Sequence, residues 1–171
     1  MIALIVAFSR NRVIGNNGII PWKIKGEQKK FKELTTGNVV IMGRRSYEEI
    51  GKPLPNRTTI VISNTKKFSA VNCMTATSLS EALKMAEGRD VYIAGGSQLY
   101  KESIGQVNNM YITLIDKNIE GDTFFPQFNE KDFEIQEDER FEGERPYTYL
   151  TYSRRTLPIM EDISSRFYPP R

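Results

Sequence analysis

The amino-acid sequence predicts an α/β protein with a doubly wound, mostly parallel central sheet and a C-terminal antiparallel hairpin. Apolar segments and helical segments alternate from residue 1 to about residue 104, an order that favours a parallel sheet with helices on both faces. Residues 133–136 and 147–152 then have the character of an antiparallel pair, the second with regular alternation of side chains. We therefore expect one domain over residues 1–155, followed by an extension over residues 156–171.

The individual elements follow from apolar runs and from the residues that interrupt them. Continuous apolar segments are typical of strands that are covered on both faces. They predict strands over residues 2–8, 39–42, 58–63, 91–94 and 110–115. Helices are expected over residues 27–34, 47–50, 78–86 and 98–103, the third with Ser78 and Glu81 at the spacing of a capping box. Residues 9–22 are expected to form a long loop, because glycine and proline recur within them.

Composition and charge restrict the class of protein. The 171 residues are 39% hydrophobic and 26% charged, an ordinary balance for a globular protein, and the net charge is +3. This charge suits a small anionic ligand, and the chain lacks the dense basic run that nucleic-acid binding requires. No apolar run approaches the length of a membrane span. The single cysteine, Cys73, excludes an internal disulfide, so we expect a reducing, cytoplasmic environment.

The chain contains no histidine, which excludes several classes of enzyme. Hydrolases with a Ser-His-Asp or Cys-His arrangement need an imidazole base. A structural zinc site needs cysteine and histidine ligands that one cysteine and no histidine do not supply. Acid–base chemistry must therefore come from a carboxylate, lysine, tyrosine, cysteine or water, and we expect no metal.

Two strand-to-helix turns have the composition of phosphate-binding turns. Residues 43–46 (Gly-Arg-Arg-Ser) and 95–97 (Gly-Gly-Ser) each follow a predicted strand and precede a helix. Glycine lets the backbone approach a ligand, and a helix N-terminus presents N–H groups to an anion. Arg44 and Arg45 could bind an additional phosphate, which favours NADP over NAD. Tight packing of the backbone is the alternative explanation for the paired glycines.

Two charged residues stand in positions where a ligand could use them. Glu27 lies near the start of a short helix, directly after a loop that carries Trp22. Arg57 follows Pro53 and Pro55 in a rigid turn, which suits capture of a carboxylate. Each also has an ordinary explanation, because acidic residues favour the first turn of any helix and arginine is common in surface loops.

Several short motifs, taken together and in order, resemble the dihydrofolate reductase family from Met1 to about Arg154. The resemblance depends on Val13-Ile14-Gly15, Ile20-Pro21-Trp22, Glu27 with Phe31, Ile41-Met42-Gly43-Arg44, Ser46, Ile50-Gly51, Pro53-Leu54-Pro55-Asn56-Arg57, Ala94-Gly95-Gly96, Tyr100, Thr113 with Ile115-Asp116, Glu120-Gly121-Asp122-Thr123 and Phe125-Pro126. It implies an enzyme that reduces 7,8-dihydrofolate to tetrahydrofolate with NADPH.

The resemblance also implies a role for particular residues of this chain. The implied catalytic residues are Glu27, Trp22, Thr113 and Tyr100. The implied substrate-binding residues are Ile5, Val6, Glu27, Gln28, Phe31, Ile50, Leu54, Arg57, Ala94 and Thr113. The implied NADPH-binding residues are Ala7, Ile14, Gly15, Gly18, Ile20, Gly43, Arg44, Arg45, Ser46, Ser63, Asn64, Gly95, Gly96, Ser97, Gln98, Leu99 and Thr123.

In this family pattern Glu27 would bind the pterin and promote protonation of N5, with a raised pKa because it is buried. Trp22 would hold an ordered water beside it, and Thr113 would hydrogen-bond it. Arg57 would bind the carboxylate of the glutamate tail. The resemblance further implies a cis peptide at residues 95–96 and a mobile loop over residues 9–24 that pairs with Asp122 and closes over the nicotinamide.

Some positions depart from the commonest bacterial pattern. Glu27, Gln28 and Ala94 resemble trimethoprim-resistant forms, so we expect weak binding of trimethoprim. Gln98 stands where a basic residue often binds the cofactor phosphates. The extension at 156–171 is expected to be loosely ordered, with a packing arm as the alternative. We expect a monomer. A related pyrimidine reductase and a catalytically idle folate- or NADPH-binding protein are the alternative functions.

Overall fold

The computed structural model describes residues 1–17, 21–22, 24 and 26–155. Its strands are β1 (Ile2–Ser9), β2 (Val13–Gly15), β3 (Val39–Gly43), β4 (Thr58–Ile62), β5 (Cys73–Ala76), β6 (Val91–Ile93), β7 (Asn109–Ile115), β8 (Thr123–Phe124), β9 (Phe133–Phe141) and β10 (Tyr147–Arg154). Its helices are α1 (Glu27–Thr35), α2 (Arg44–Ile50), α3 (Leu79–Met85) and α4 (Ser97–Ser103), with a short 3₁₀ turn at Glu130–Asp132. Gly18, Ile20 and the extension at 156–171, for which predictions were made above, lie outside the described residues.

Eight strands form one sheet in the order β5-β4-β3-β6-β1-β7-β10-β9. The pairs from β5 to β7 are parallel, whereas β10 is antiparallel to both β7 and β9. The predicted fold class is therefore confirmed, including the C-terminal antiparallel hairpin. None of the helices in the described part of the chain is long and apolar enough to cross a membrane.

The helices lie on both faces of the sheet. Successive side chains of a strand point to opposite faces, so β3 contributes Val40 and Met42 to one core cluster and Val39 and Ile41 to the other. The first cluster packs against α1 and α2, and the second packs against α3 and α4. This burial on both faces explains why β3 is a continuous apolar run.

Three short strands were not predicted. β2 and β8 pair with each other, Val13 opposite Phe124 and Gly15 opposite Thr123, so residues 9–22 are not an uninterrupted loop. β5 is the edge strand of the sheet and pairs with β4. Strands of two to four residues carry too little periodicity to be recognised locally, because long-range pairing is what stabilises them.

The helix α3 begins as its capping pattern predicted. Ser78 Oγ accepts a hydrogen bond from the Glu81 N–H at 3.1 Å. The Glu81 carboxylate accepts from the N–H and the hydroxyl of Thr77 rather than from Ser78, so only half of the capping box forms.

Candidate active site

The helix α1 places Glu27 at its first position, where the carboxylate is partly enclosed by the protein. Gly26 precedes it with a φ of 97°, a left-handed conformation that favours glycine, and supplies no side-chain cap. Burial raises the pKa of Glu27 from 4.5 to about 6. The Glu27 carboxylate makes no hydrogen bond to another residue in the described part of the chain. A half-buried acid with this pKa can hold a proton near neutral pH.

Tyr100 connects three parts of the site. Its hydroxyl donates a 2.8 Å hydrogen bond to the Ile5 carbonyl. A Cβ added to Gly95 would lie 3.2 Å from the same hydroxyl oxygen. Burial raises the pKa of Tyr100 far above its usual range, and the negative charge of Glu27 raises it further. Tyr100 therefore stays protonated while it links β1, the glycine turn and the surroundings of Glu27.

Thr113 is buried on β7, opposite Ala7 of β1 and Tyr149 of β10. The predicted hydrogen bond between Thr113 and Glu27 is not formed between these two described residues. Thr113 borders a small cavity beneath α1, together with Lys30 and Leu34 of that helix.

Trp22 is buried against Val13 and Ile115, close to half-buried Ala7 and Ile24. Its indole Nε1–H has no hydrogen-bond acceptor among the described residues. A buried donor without a partner is uncommon, because desolvation without a hydrogen bond costs about 1–3 kcal/mol. The indole is therefore available to a polar group at this end of the site.

A buried arginine lies beyond the other end of α1. Arg57 is 6% exposed, and its guanidinium donates to Pro55 O at 2.9 Å and to Thr35 Oγ1 at 3.2 Å. Its Cζ lies 5.9 Å from the centre of the Phe31 ring. No acidic side chain of the described residues forms an ion pair with it. Burial lowers the pKa of Arg57, which indicates a cation that lacks full solvation.

The two glycine turns meet at the carboxyl ends of β3 and β6. The Gly43 N–H donates to the Gly95 carbonyl at 2.8 Å, and the peptide between Gly95 and Gly96 is cis, as the family resemblance implied. A Cβ added to Gly96 would lie 3.7 Å from Ser46 Oγ. Both α2 and α4 begin here without a side-chain cap, so their first N–H groups remain available to an anion.

Positive charge lies next to these turns. Arg44 Nε donates to Glu48 at 2.9 Å and its Nη1 donates to Thr65 Oγ1 at 2.7 Å. Lys66 Nζ lies 3.4 Å from the same Glu48 carboxylate, and Arg44 and Lys66 hold its pKa below the ordinary value. Arg45 and Asn64 are exposed beside them.

Comparison with known proteins identifies the family. The sequence profile of dihydrofolate reductase matches residues 1–154. The chain is 42% identical over 156 residues to dihydrofolate reductase type A13 of Escherichia coli, covering 90% of this chain and 94% of the relative. The chain belongs to the dihydrofolate reductase family. It is also 34% identical over 160 residues to dihydrofolate reductase of Bacillus subtilis (strain 168), covering 91% of this chain and 95% of the relative.

A solved structure supports the same assignment. Dihydrofolate reductase from Enterococcus faecalis, complexed with NADP(H) and RAB-propyl, aligns with a TM-score of 0.81 at 35% identity, over 90% of this chain and 96% of that one. The sequence-based interpretation is therefore confirmed for the family, the fold and the enzyme class. As a dihydrofolate reductase, the chain is an oxidoreductase whose cofactor is NADPH.

The structure of this dihydrofolate reductase brings many of the predicted substrate-binding residues together. Phe31, Leu54 and Ala94 pack on one core cluster, the cluster that contains Met42 and Tyr47. Ile5 and Thr113 border the cavity beneath α1. Gln28 is exposed and Ile50 is 40% exposed, so both lie at the protein surface.

Two predicted ligand contacts are not supported as side-chain contacts. Val6 packs with Leu4 and Phe8 in the cluster beneath α3 and α4, because it points to the opposite face from Ile5. Leu99 packs in that same cluster from α4. The predicted ligand contacts of these two residues stay predictions.

The remaining predicted cofactor residues lie around the same turns or around the β2–β8 pair. Ser97 and Gln98 open α4, and the Gln98 amide donates to Glu102 at 3.1 Å along the helix. Ser63 is buried, and its hydroxyl accepts hydrogen bonds from the N–H groups of Thr65 and Lys66 at 3.3 and 3.1 Å. Ile14 and Gly15 lie in β2, and Thr123 begins β8.

Asp122 joins the two sides of the β2–β8 pair. Its carboxylate accepts a 3.0 Å hydrogen bond from the Asn17 N–H and a 2.9 Å bond from the Thr123 hydroxyl. The hydrogen bond from Asn17 is the main reason why the pKa of Asp122 lies below its usual value. The structure thus contains the contact between Asp122 and the loop that the resemblance implied.

Three residues of the site region were not given a role from the sequence. Thr65 accepts a hydrogen bond from Arg44, and Lys66 forms an ion pair with Glu48, which also pairs with Arg44. Their position just after β4, at the carboxyl edge of the parallel sheet, is the signal that identifies them. Gly121 has no room for a side chain, because an added Cβ would overlap Val13 and lie 2.7 Å from Gly15 O.

Proposed function

We propose that this chain reduces 7,8-dihydrofolate to 5,6,7,8-tetrahydrofolate, with Glu27 promoting the protonation of pterin N5. The observation that carries the proposal is the half-buried Glu27 carboxylate, whose pKa is raised to about 6 by burial. It is the residue at which a proton can be held near neutral pH in a site without histidine. Trp22, whose indole N–H has no acceptor among the described residues, supports the proposal by offering a hydrogen-bond donor.

The substrate would extend from Glu27 towards Arg57. Phe31 and Leu54 provide apolar side chains on one wall, and Ala94 leaves room because its side chain is small. Arg57 supplies a buried guanidinium without an acidic partner among the described residues, which suits the carboxylate of the glutamate tail. Glu27 would therefore bind the pterin end of dihydrofolate, and Arg57 would bind the carboxylate at its other end.

The donor set around the glycine turns fits an anionic dinucleotide. Two uncapped helix N-termini adjoin at Gly43 and Gly95, where N–H groups can bind the diphosphate. Arg44 and Lys66 lie where the additional phosphate of NADPH could be recognised. When bound, NADPH supplies the hydride that reduces pterin C6. The protein contributes orientation, exclusion of water and the proton held at Glu27.

The experiment is to follow NADPH oxidation with dihydrofolate for the wild type and Glu27→Gln across a range of pH. Because the protonated form of Glu27 is the active one, the wild-type rate of hydride transfer should fall as pH rises through about 6. The variant should be slower by ~10²–10⁴-fold at neutral pH, and its rate should no longer change with the ionisation near pH ~6. Its activity should recover at low pH, where the substrate is already protonated.

The outcomes separate the assignments. Failure of folded wild-type protein to oxidise NADPH with dihydrofolate would leave a pyrimidine reductase or an idle binding protein, to be distinguished by screening substrates. If the wild type is active and Glu27→Gln keeps the same rate and pH profile, the reductase function stands. The role of Glu27 in protonation is then contradicted.

We also propose that the enzyme is a monomer in the cytoplasm and that residues 156–171 form an extension outside a domain at 1–155. The single free cysteine, Cys73, is compatible with a reducing compartment. Light scattering of the full chain tests the oligomeric state, and thermal unfolding of the full chain and of a chain ending at Arg155 tests the independence of the domain. A dimer would contradict the first proposal. A loss of thermal stability on truncation would contradict the independence of the domain.

A further inference from the structure

Tyr149 of β10 lies against the first turn of α1, the turn that carries Glu27. Lys30 Nζ, one turn into the helix, lies 5.2 Å from the centre of the Tyr149 ring. A Cβ added to Gly26 would lie 4.0 Å from the Tyr149 hydroxyl oxygen and 3.9 Å from that of Tyr147. The Tyr149 side chain therefore extends along the first turn of α1 from Lys30 to Gly26, the residue that precedes Glu27.

The sheet presents Tyr149 on the same side as the predicted catalytic residue Thr113. The two residues are directly opposite each other in the antiparallel pair of β7 and β10, so their side chains share one face. Both border the small cavity beneath α1, about 20 Å³ in volume, together with Ile5, Lys30 and Leu34. Tyr149 thus belongs to the floor on which α1 rests.

The Tyr149 hydroxyl lies beside Gly26 and interacts electrostatically with Glu27. Burial is the main reason why the pKa of Tyr149 rises to about 12, and the charges of Tyr147 and Glu27 raise it further. At working pH the group is therefore a protonated O–H, which interacts with the side chain of Tyr147. A hydroxyl dipole close to a carboxylate stabilises its charged form, and it therefore opposes the rise in the pKa of Glu27 that burial causes.

We propose that Tyr149 is a positioning residue for Glu27: its ring supports the first turn of α1, and its hydroxyl sets the polarity around the carboxylate. This inference rests on the proposed role of Glu27 as the residue that promotes protonation. It assigns to β10, the strand added beyond the parallel part of the sheet, a function in adjusting the acid of the active site.

Other titratable groups also surround this region. Among the described residues, those near Tyr149, Glu27 or the cavity are Lys30 of α1, Tyr100 of α4, Tyr111 of β7, Tyr147 of β10, and Asp138 and Glu139 of β9. Tyr149 differs from them because one side chain combines the ring contact with Lys30 and a hydroxyl beside Gly26. A substitution that removes only this hydroxyl isolates its effect.

The test compares Tyr149→Phe with Tyr152→Phe. Tyr152 lies on the same strand but on the opposite face, in the cluster with Phe133, and its hydroxyl lies 3.5 Å from Glu130. Each variant is titrated with NADPH bound, which stabilises the fold. Two readouts are used: the carboxyl NMR signal of labelled Glu27, assigned with Glu27→Gln, and the pH profile of hydride transfer.

We expect Tyr149→Phe to move the Glu27 titration midpoint upward by about half a pH unit, because the carboxylate loses a polar neighbour. The rate profile should move by the same amount, whereas Tyr152→Phe should leave both midpoints at the wild-type value. Tyr149→Leu, which also removes the ring, should in addition lower kcat, and Tyr149→Phe should restore most of that loss.

An unchanged Glu27 titration in folded Tyr149→Phe overturns the proposal, as does an equal shift in Tyr152→Phe. The NMR titration does not depend on turnover. If Glu27 has no proton role, its NMR midpoint still moves in Tyr149→Phe while the rate profile does not follow it. The positioning by Tyr149 and the function of Glu27 can therefore fail separately.

Discussion

Arg57 donates a hydrogen bond to Thr35 Oγ1 at 3.2 Å, which ties the start of β4 to the last residue of α1. The contact holds a buried guanidinium in place without neutralising it, because threonine carries no charge. A buried ion without a counter-charge destabilises a folded protein, unless a ligand supplies the missing charge. This arrangement fits the proposed role of Arg57 in binding a ligand carboxylate.

Replacing Arg57 by lysine should weaken binding of dihydrofolate, because a lysine cannot form two parallel hydrogen bonds to a carboxylate. Loss of a charge-assisted hydrogen bond of about 1.5–3 kcal/mol corresponds to a KM raised ~10–100-fold. The measurement is KM for dihydrofolate and for a dihydropterin that lacks the glutamate tail. The tail-less compound should show no difference between wild type and variant.

Arg89→Lys is the matched control for this experiment. Arg89 is an exposed arginine that bonds Thr58 Oγ1 at 2.9 Å, at the amino-terminal end of β4. It should leave KM unchanged for both compounds. An equal loss of affinity for the tail-less dihydropterin in Arg57→Lys would show that Arg57 acts through the fold and not through the tail.

Glu27→Gln should stabilise the ligand-free protein at alkaline pH. The folded-state pKa of about 6 lies above the ordinary value of 4.5, so folding disfavours the charged form. The stability that protonated Glu27 contributes is fully present below pH 4.5 and is lost as pH rises through about 6. Glutamine cannot ionise, so the variant should gain about 1–2 kcal/mol of unfolding free energy at about pH 8.

Urea unfolding of both proteins checks this prediction at about pH 4 and at about pH 8. The two proteins should differ at the higher pH and be nearly equal at the lower pH, where Glu27 is protonated in both the folded and unfolded chains. A difference that is the same at both values would indicate a change in packing rather than the ionisation of Glu27.

Gly121→Ala should disrupt the β2–β8 pair. The added Cβ would overlap Val13 and lie 2.7 Å from Gly15 O, which is backbone and cannot move aside cheaply. Overpacking of this kind costs about 1–3 kcal/mol, so the melting temperature should fall by several degrees. Because this pair holds Asp122 against Asn17, binding of NADPH should also weaken.

The control for this substitution is Gly105→Ala, where an added Cβ meets nothing within 4 Å. This variant should melt within about a degree of the wild type, since unconstrained surface substitutions stay near 0.5 kcal/mol. Wild-type stability and NADPH affinity in Gly121→Ala would show that the backbone near Val13 adjusts without cost.

Trimethoprim should inhibit this enzyme weakly, and Ala94→Ile should strengthen the inhibition. Ala94 packs beside Phe31 and Leu54, so added carbons would extend an apolar wall that the small side chain leaves incomplete. Each buried CH₂ is worth about 0.8 kcal/mol, and partial burial of three carbons predicts a Ki about tenfold lower. The measurement is Ki for trimethoprim, with the dissociation constant of NADPH as control. Tight inhibition of the wild type would contradict the expectation.

The main strands and helices could be predicted because their signals are local. Val39–Met42 form a continuous apolar run, and Ser78 caps α3 through a hydrogen bond three residues away. The glycines at 95 and 96 and the acid at the start of α1 could be recognised in the same way. Each of these features depends on residues that are near one another in the sequence.

Most features that depend on distant residues could not be predicted from local sequence patterns. The pairing of β2 with β8, which leaves no room at Gly121, joins segments about 110 residues apart along the chain. The packing of Val6 in the cluster beneath α3 and α4, on the opposite face of β1 from Ile5, also follows from the assembled sheet. Tyr149 attracted no functional interpretation, because its neighbours Lys30 and Gly26 are remote in sequence.

The sequence by itself determined which chemistry this protein can perform. With no histidine and one cysteine, acid–base chemistry had to come from a carboxylate, lysine, tyrosine, cysteine or water, and the ordered motifs indicated the family and its cofactor. The tertiary structure decided how that chemistry is adjusted. The pKa of Glu27 and the lack of an acidic partner for Arg57 in the described chain arise from burial, and burial exists only after distant segments have packed.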